Sequence, residues 1–204
     1  MFLSKLEVNA KCRQVRAELA SPYEMHRTIS KAFGDDGPEY RAARCLFRVD
    51  ETTDPATFNV LVQSTVQPDW SMLTVSDGYL KSEPQVREFS PGIRQGQRLH
   101  FRLAANPTVK KNGRRYGLES EEDQVKWLLR KSESAGFRVL RLSQKKGRKV
   151  DLRVPGQDQA YLWSVVFDGL LEVTDPEAFV SSMESGIGSG KGFGFGMLSV
   201  APAK

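Results

Sequence analysis

The chain has 204 residues, 39% of them hydrophobic, with 30 Lys+Arg against 25 Asp+Glu and a formal net charge of +5. That length suits one large domain or two small ones with their own cores. No run approaches the roughly 20 apolar residues of a membrane span, so no membrane partner is expected. The opening MFLSKLEVNA lacks the apolar core of a signal peptide, and Cys12 and Cys45 show no metal spacing. Both features fit a reducing compartment and a cytoplasmic protein.

Phe2 to Val8 alternates apolar and polar residues and predicts a strand. A helical region follows, interrupted at Ser21-Pro22. Cys45 to Val49 and Phe58 to Val66 read as strands, with Asp54-Pro55 turning between them. Trp70 to Leu73 suits a helical turn and Val86 to Phe89 a short strand. Ser90-Pro91-Gly92 and Gln95-Gly96 punctuate a linker.

The order then repeats. Arg98 to Ala104 alternates, with Leu99, Phe101 and Leu103 on one face and Arg98, His100 and Arg102 on the other. Glu121 to Ala135 is amphipathic, with Val125, Leu128, Leu129 and Ser132 on one side and Gly136 as C-cap. Phe137 to Leu142 is a strand. Tyr161 to Val173 is another, bent or bulged at Asp168-Gly169. Asp175-Pro176 caps and opens a helix to Ser185, and Met197 to Val200 is the last strand. Strand–helix–strand–strand–helix–strand, written twice, predicts an α+β protein of two tandem ferredoxin-like (RRM-like) domains. They span 1–90 and 97–204, with 91–96 as linker. The first copy is the weaker in its last helix and strand. The fold alone does not give a function.

Charge divides unevenly. Residues 1–96 hold 12 Lys+Arg and 13 Asp+Glu, net −1; residues 97–204 hold 18 and 12, net +6. The excess sits in Lys110-Lys111-Asn112-Gly113-Arg114-Arg115 and in Arg141 to Arg153, with Lys145, Lys146, Arg148 and Lys149. Basic residues clustered in loops are a footprint of polyanion binding. The same half holds a glycine-rich run: Gly186, Gly188, Gly190, Gly192, Gly194 and Gly196 alternate with other residues around Lys191. Such a run loses much entropy on ordering. Close approach of backbone N–H groups to phosphate explains it, and so does close packing. It is not a Walker loop, because Ser185 and Gly192 stand where a glycine and a Ser/Thr are needed. Nor does it open a helix after a strand, as a dinucleotide fingerprint does.

Two histidines can be weighed singly. His26 lies in a helix whose start is specified by Ser21, Pro22 and Glu24, a capping box with proline at the first position. At about 100° per residue, Met25, Ile29, Ala32 and Phe33 share the core face. Tyr23, His26, Arg27 and Ser30 fall opposite, with Lys31 at the margin. That polar face suits RNA cleavage by 2′-OH attack, which needs a base, an acid and a cation for the phosphorus. Histidine titrates near neutral pH, tyrosine shares proton transfer, and arginine grips phosphate. An exposed surface histidine beside a tyrosine is the plainer reading of the same residues. His100, between Arg98 and Arg102, reads as a structural histidine before an RNA contact. No His, Cys or carboxylate cluster has ligand spacing, and Asp35-Asp36 reads as a loop pair, so no metal or other cofactor is expected.

These residues carry a resemblance. Met-Phe-Leu-Ser-Lys-Leu at the start, Tyr23-x-x-His26-Arg27, Leu99 to Pro107, and the ending from Gly186 to Pro202 together resemble the CasE-type CRISPR repeat endoribonucleases, in the same order over nearly the whole chain. The resemblance implies metal-independent cleavage of CRISPR precursor RNA at the base of each repeat hairpin. The expected ends are 5′-hydroxyl and 2′,3′-cyclic phosphate. It implies retention of the product and membership of the type I-E Cascade complex, so the expected partners are a stem-loop CRISPR repeat RNA and other Cascade subunits. Carried over, His26 is the main acid/base, Tyr23 its partner and Arg27 an RNA contact, and the glycine loop with Lys191 holds RNA backbone or shapes the fold beside it. Lys31, Arg102, Lys110, Lys111, Arg114 and Arg115 complete the expected RNA-binding set, with Arg148, Lys149 and Arg153 as hairpin contacts. The segment Gln144 to Gln159 departs in length from the family's hairpin. A non-cleaving RNA-binding subunit, or an unrelated phosphoryl-ligand enzyme built on the glycine loop, remain the other readings.

Overall fold

The computed structural model describes residues 1–35, 37–156 and 159–203. It divides into two compact units. One comprises Met1–Ser90, Leu152–Gln159 and Gly192–Gly194; the other comprises Pro91–Asp151, Ala160–Lys191 and Phe195–Lys204.

The first unit runs β1 (Phe2–Asn9), α1 (Arg13–Ala20), α2 (Pro22–Lys31), α3 (Pro38–Ala43), β2 (Leu46–Glu51), β3 (Thr57–Ser64) and β4 (Gln85–Glu88). Its sheet has the order β2-β3-β1-β4. β1 and β3 pair antiparallel with Leu6 opposite Val60 and Ser4 opposite Val62. The alternation of β1 therefore aims one face into a core of Leu6, Val8, Met25, Ile29, Phe33, Phe47, Val60 and Val62. The ferredoxin-like frame lacks its second helix: between β3 and β4 the chain makes turns. Pro68, Gly78 and Pro84 break any helical period there. Trp70, Leu73, Tyr79 and Leu80 fill the space instead, and Trp70 Nε1 donates to Ser4 Oγ at 3.0 Å. The expected turn at Trp70–Leu73 is present, closed by Leu73 N to Trp70 O at 2.9 Å.

The second unit runs β5 (Arg98–Ala105), β6 (Thr108–Lys111), β7 (Arg114–Gly117), α4 (Glu121–Ser134), β8 (Phe137–Leu152), β9 (Ala160–Val173), α5 (Pro176–Ser185) and β10 (Leu198–Pro202). The order β10-β5-β9-β8 is that of a complete ferredoxin-like sheet. Both units thus carry the tandem ferredoxin-like architecture.

Four local expectations are corrected. The basic runs are not loops: Lys110 to Arg115 forms the β6–β7 hairpin, and Arg141 to Leu152 continues β8. The buried stripe of α4 is Gln124, Trp127, Leu128 and Ser132, whereas Leu129 is exposed. Ser30, expected on the open face of α2, is buried and its Oγ donates to the Arg27 carbonyl. No bulge interrupts β9 against β5, whose register continues through Asp168 and Gly169. Gly169 has another reason: a Cβ there would stand 2.0 Å from the Arg141 carbonyl oxygen. Asp35 has φ 61°; Asp36 lies outside the described residues, as do Gln157 and Asp158 of the Gln144–Gln159 segment.

Candidate catalytic and nucleic-acid-binding site

Helix α2 begins as its sequence dictates. Ser21 Oγ accepts from Glu24 N at 3.4 Å, and Pro22 takes the first turn. Met25, Ile29, Ala32 and Phe33 are buried. That fixes the helix rotation and leaves Tyr23 and His26 half-buried and Arg27 and Lys31 exposed. Arg27 forms an exposed ion pair with Glu24 at 3.3 Å.

His26 is held on several sides. Its Nδ1 lies 3.1 Å from the Tyr40 hydroxyl, and the two rings meet edge to face, centroids 5.2 Å apart at 82°. The Phe193 ring is 6.0 Å away. Gly192 sits beside the imidazole, where a Cβ would lie 3.5 Å from Nδ1. Phe193 belongs to a short 3₁₀ turn, Lys191–Phe193. The middle of the glycine run therefore packs into the first unit next to the candidate acid/base. Among the described residues no group of three or more His, Cys, Asp or Glu is clustered.

The rest of the glycine run is built for packing. Gly188 has φ +91° and a Cβ there would stand 2.8 Å from the Trp127 indole; Gly194 has φ +86° and a Cβ would reach Phe47 at 3.1 Å. Only glycine accommodates both demands. Ile187, Phe195 and Met197 between and after the glycines are buried. Ser189 ties the run to the end of β5, receiving a hydrogen bond from Asn106 Nδ2 at 3.3 Å and lying 3.2 Å from Thr108 Oγ1. Lys191 is half-buried; burial first, and the Lys131 charge second, lower its ammonium pKa.

The cations of the second unit fall into distinct settings. Lys110, Lys111, Arg114 and Arg115 are all exposed on the β6–β7 hairpin, paired Lys110 with Arg115 and Lys111 with Arg114. Asn112 and Gly113, both at positive φ, make its two-residue turn. Arg148 and Lys149 are exposed on β8, and Lys149 Nζ rests 4.1 Å above the Tyr161 ring. Arg102, by contrast, is engaged in its own sheet: its guanidinium donates to both Asp168 oxygens at 2.6 and 3.1 Å. His100 is exposed rather than buried. Arg153 is exposed and belongs to the first unit.

Residues 1–202 match the family described as CRISPR associated protein. The chain belongs to that family. Within the CRISPR-associated proteins it is 39% identical to the CRISPR-associated endoribonuclease Cse3 of Thermus thermophilus, over 99% of this chain and all of that protein. It is 31% identical to the CRISPR system Cascade subunit CasE of Escherichia coli, over 99% and 100% of the two chains. Its fold is similar to the solved structure of Thermus thermophilus Cse3 bound to an RNA representing a pre-cleavage complex, with TM-score 0.87, 38% identity and 98% of each chain covered.

Two residues at the heart of the first unit escaped the sequence reading. Tyr40 lies on a six-residue helix, too short to show a period; Gly37-Pro38-Glu39 was the start signal that could have marked it. Glu18 is a buried carboxylate that accepts from Thr28 Oγ1 at 2.6 Å, Gln14 Nε2 at 2.8 Å and the Tyr79 hydroxyl.

Proposed function

We propose that this chain is an endoribonuclease that processes CRISPR precursor RNA at the base of the repeat hairpin, by a metal-independent 2′-OH attack with His26 as acid/base. The observation that carries this reading is His26 itself. It is set on the open side of a helix whose other side is locked in the core, and its ring is held at Nδ1. The near full-length similarity to an endoribonuclease supports it.

The 2′-OH loses its proton to a base as its oxygen bonds to phosphorus. The P–O5′ bond breaks, and the leaving 5′-oxygen takes a proton. The ends are then a 2′,3′-cyclic phosphate and a 5′-hydroxyl. His26 serves one or both proton steps, because imidazole exchanges protons near neutral pH. Tyr23, one helical turn away, shares the transfer or orients the 2′-OH. Arg27 and Lys31 supply charge for the phosphorane oxygens. Residues 1–90 carry this step, and 97–204, joined through 91–96, grip the RNA. There the β6–β7 hairpin, Arg148, Lys149 and Lys191 track phosphates, which A-form RNA presents more openly than base edges. Arg153 adds to that grip. The product stays bound, and the protein works in the cytoplasm as a subunit of a type I-E Cascade complex.

The test is incubation of the purified protein, in chelator, with a labelled stem-loop CRISPR repeat RNA and a 2′-deoxy control at the scissile position. One cut in the all-ribose RNA and none in the control is expected, with cutting greatly slowed in His26→Ala while binding is kept. Inhibition by chelator that magnesium reverses would overturn the metal-free step. Tight binding with no cut would favour the non-cleaving RNA-binding subunit.

A further inference from the structure

We infer that Tyr40 is the positioning residue that holds the His26 imidazole by Nδ1, so that the proton exchanged with RNA is carried at Nε2; this rests on the reading of His26 as acid/base.

Tyr40 is itself well supported. Its ring packs against Phe33 at 6.3 Å, and Phe33 meets Trp70 edge-on at 6.1 Å. Both of those partners are buried. The far end of α3 is fastened to the end of β3: Thr65 N donates to the Ala43 carbonyl at 2.8 Å, and Thr65 Oγ1 to the Ala42 carbonyl at 2.9 Å. The near end folds against the α2 terminus, where the Glu39 carboxylate lies over Gly34. The phenol oxygen is thus placed by α3, which is fastened to the end of β3 and packed on the α2 terminus. Two independent anchors on one ring fix its plane more firmly than a helix alone.

The chemistry of the partner fits the task. A phenol hydroxyl both donates and accepts. With Nε2 as the exchanging nitrogen, Nδ1 carries a proton both in the neutral base and in the imidazolium, and the phenol oxygen accepts from it in each. The contact therefore survives either charge state of His26. A carboxylate in the same place would favour the imidazolium throughout. For a histidine that must gain and lose a proton in each cleavage, a hydroxyl keeps the ring oriented without biasing it strongly toward one state.

Tyr40→Phe tests this, because phenylalanine retains the ring packing and removes only the hydroxyl. Single-turnover cleavage of the stem-loop repeat RNA should slow about ten-fold, short of the roughly 10²–10⁴-fold that a whole proton-transfer group contributes, because the imidazole remains and only its orientation loosens. RNA affinity and thermal midpoint should stay at the parent values. In a His26→Ala background, Tyr40→Phe should produce no further loss, as a residue acting through another must. Independently of activity, the ¹⁵N resonance of His26 Nδ1 should move in Tyr40→Phe. A stationary Nδ1 resonance overturns the proposal whatever the cleavage data show. So does parental cleavage by Tyr40→Phe, or a full ten-fold loss on top of His26→Ala. If His26→Ala cuts like the parent while the Nδ1 resonance still moves, the contact exists but has no catalytic role: the acid/base reading has failed first, and the inference falls with it.

Discussion

Thr28 donates to Glu18 at 2.6 Å inside the first unit, two residues after His26 on the same helix. The Tyr79 hydroxyl donates to the other carboxylate oxygen, and Gln14 to the first. One buried carboxylate therefore joins α1, α2 and the turn segment before β4. Glu18→Ala leaves two buried hydroxyls without their acceptor, each costing about 1–3 kcal/mol. We expect urea denaturation to show a loss of about 2–6 kcal/mol. An unchanged midpoint would mean the cluster does not stabilise α2.

Alkaline pH should weaken the first unit. Burial raises the Cys45 thiol to about 12, from an ordinary 9.0. Burial first, then the Glu18 charge and hydrogen bond, raises the Tyr79 hydroxyl as well. Both groups are neutral in the fold and ionise more easily when unfolded. Their contribution is fully present below the unfolded values, and that of Cys45 is lost as pH climbs from 9 towards 12. The Cys45 share has a limiting slope of about 1.4 kcal/mol per pH unit. Denaturation between pH 8.5 and 10.5 should show stability falling, and less steeply in Cys45→Ala. A flat profile would contradict it.

Gly188 and Gly113 are both at positive φ, yet their substitutions should differ. At Gly113 a Cβ meets nothing within 4 Å, so Gly113→Ala should cost only the left-handed backbone, about 1–2 kcal/mol. At Gly188 the Cβ would also enter the buried Trp127 ring at 2.8 Å. Overpacking adds about 1–3 kcal/mol. Thermal melts of the two variants decide it; equal shifts would show that Trp127 yields freely.

The β6–β7 hairpin sets cation against cation across its strands. Such a ribbon is self-repelling, and a polyanion relieves it. Neutralising Lys110, Lys111, Arg114 and Arg115 together should shallow the slope of log Kobs against log salt for stem-loop RNA by about 3, at about 0.7–0.9 for each phosphate no longer neutralised. An unaltered slope would remove the hairpin from the interface.

The frame was legible in the sequence where burial is one-sided. The alternation of Phe2 to Val8 and Arg98 to Ala104 follows from strands with one core face, and Ser21-Pro22-Tyr23-Glu24 marks α2 because its cap is local chemistry. What escaped was set by tertiary packing. The basic runs look like loops because both faces of β6–β7 are exposed and no alternation is imposed. The α4 stripe turns towards Trp127 and Gln124 because a large indole, not a leucine, fills that space. Tyr40 was invisible because its partnership with His26 joins two helices through space. For the glycine run, close packing was one of two readings, and the Trp127 and Phe47 contacts show it at Gly188 and Gly194.

Gly192–Gly194 and Leu152–Gln159 belong to a unit whose other residues all precede Pro91. During synthesis that unit therefore emerges incomplete. Its sheet and helices are available early, but the turn beside His26 arrives only after the whole second sheet except β10 has been made. Contacts so distant along the chain close late and slowly. Completion of the surroundings of His26 is thereby coupled to nearly complete translation, and a prematurely terminated chain would present His26 without the Phe193 wall.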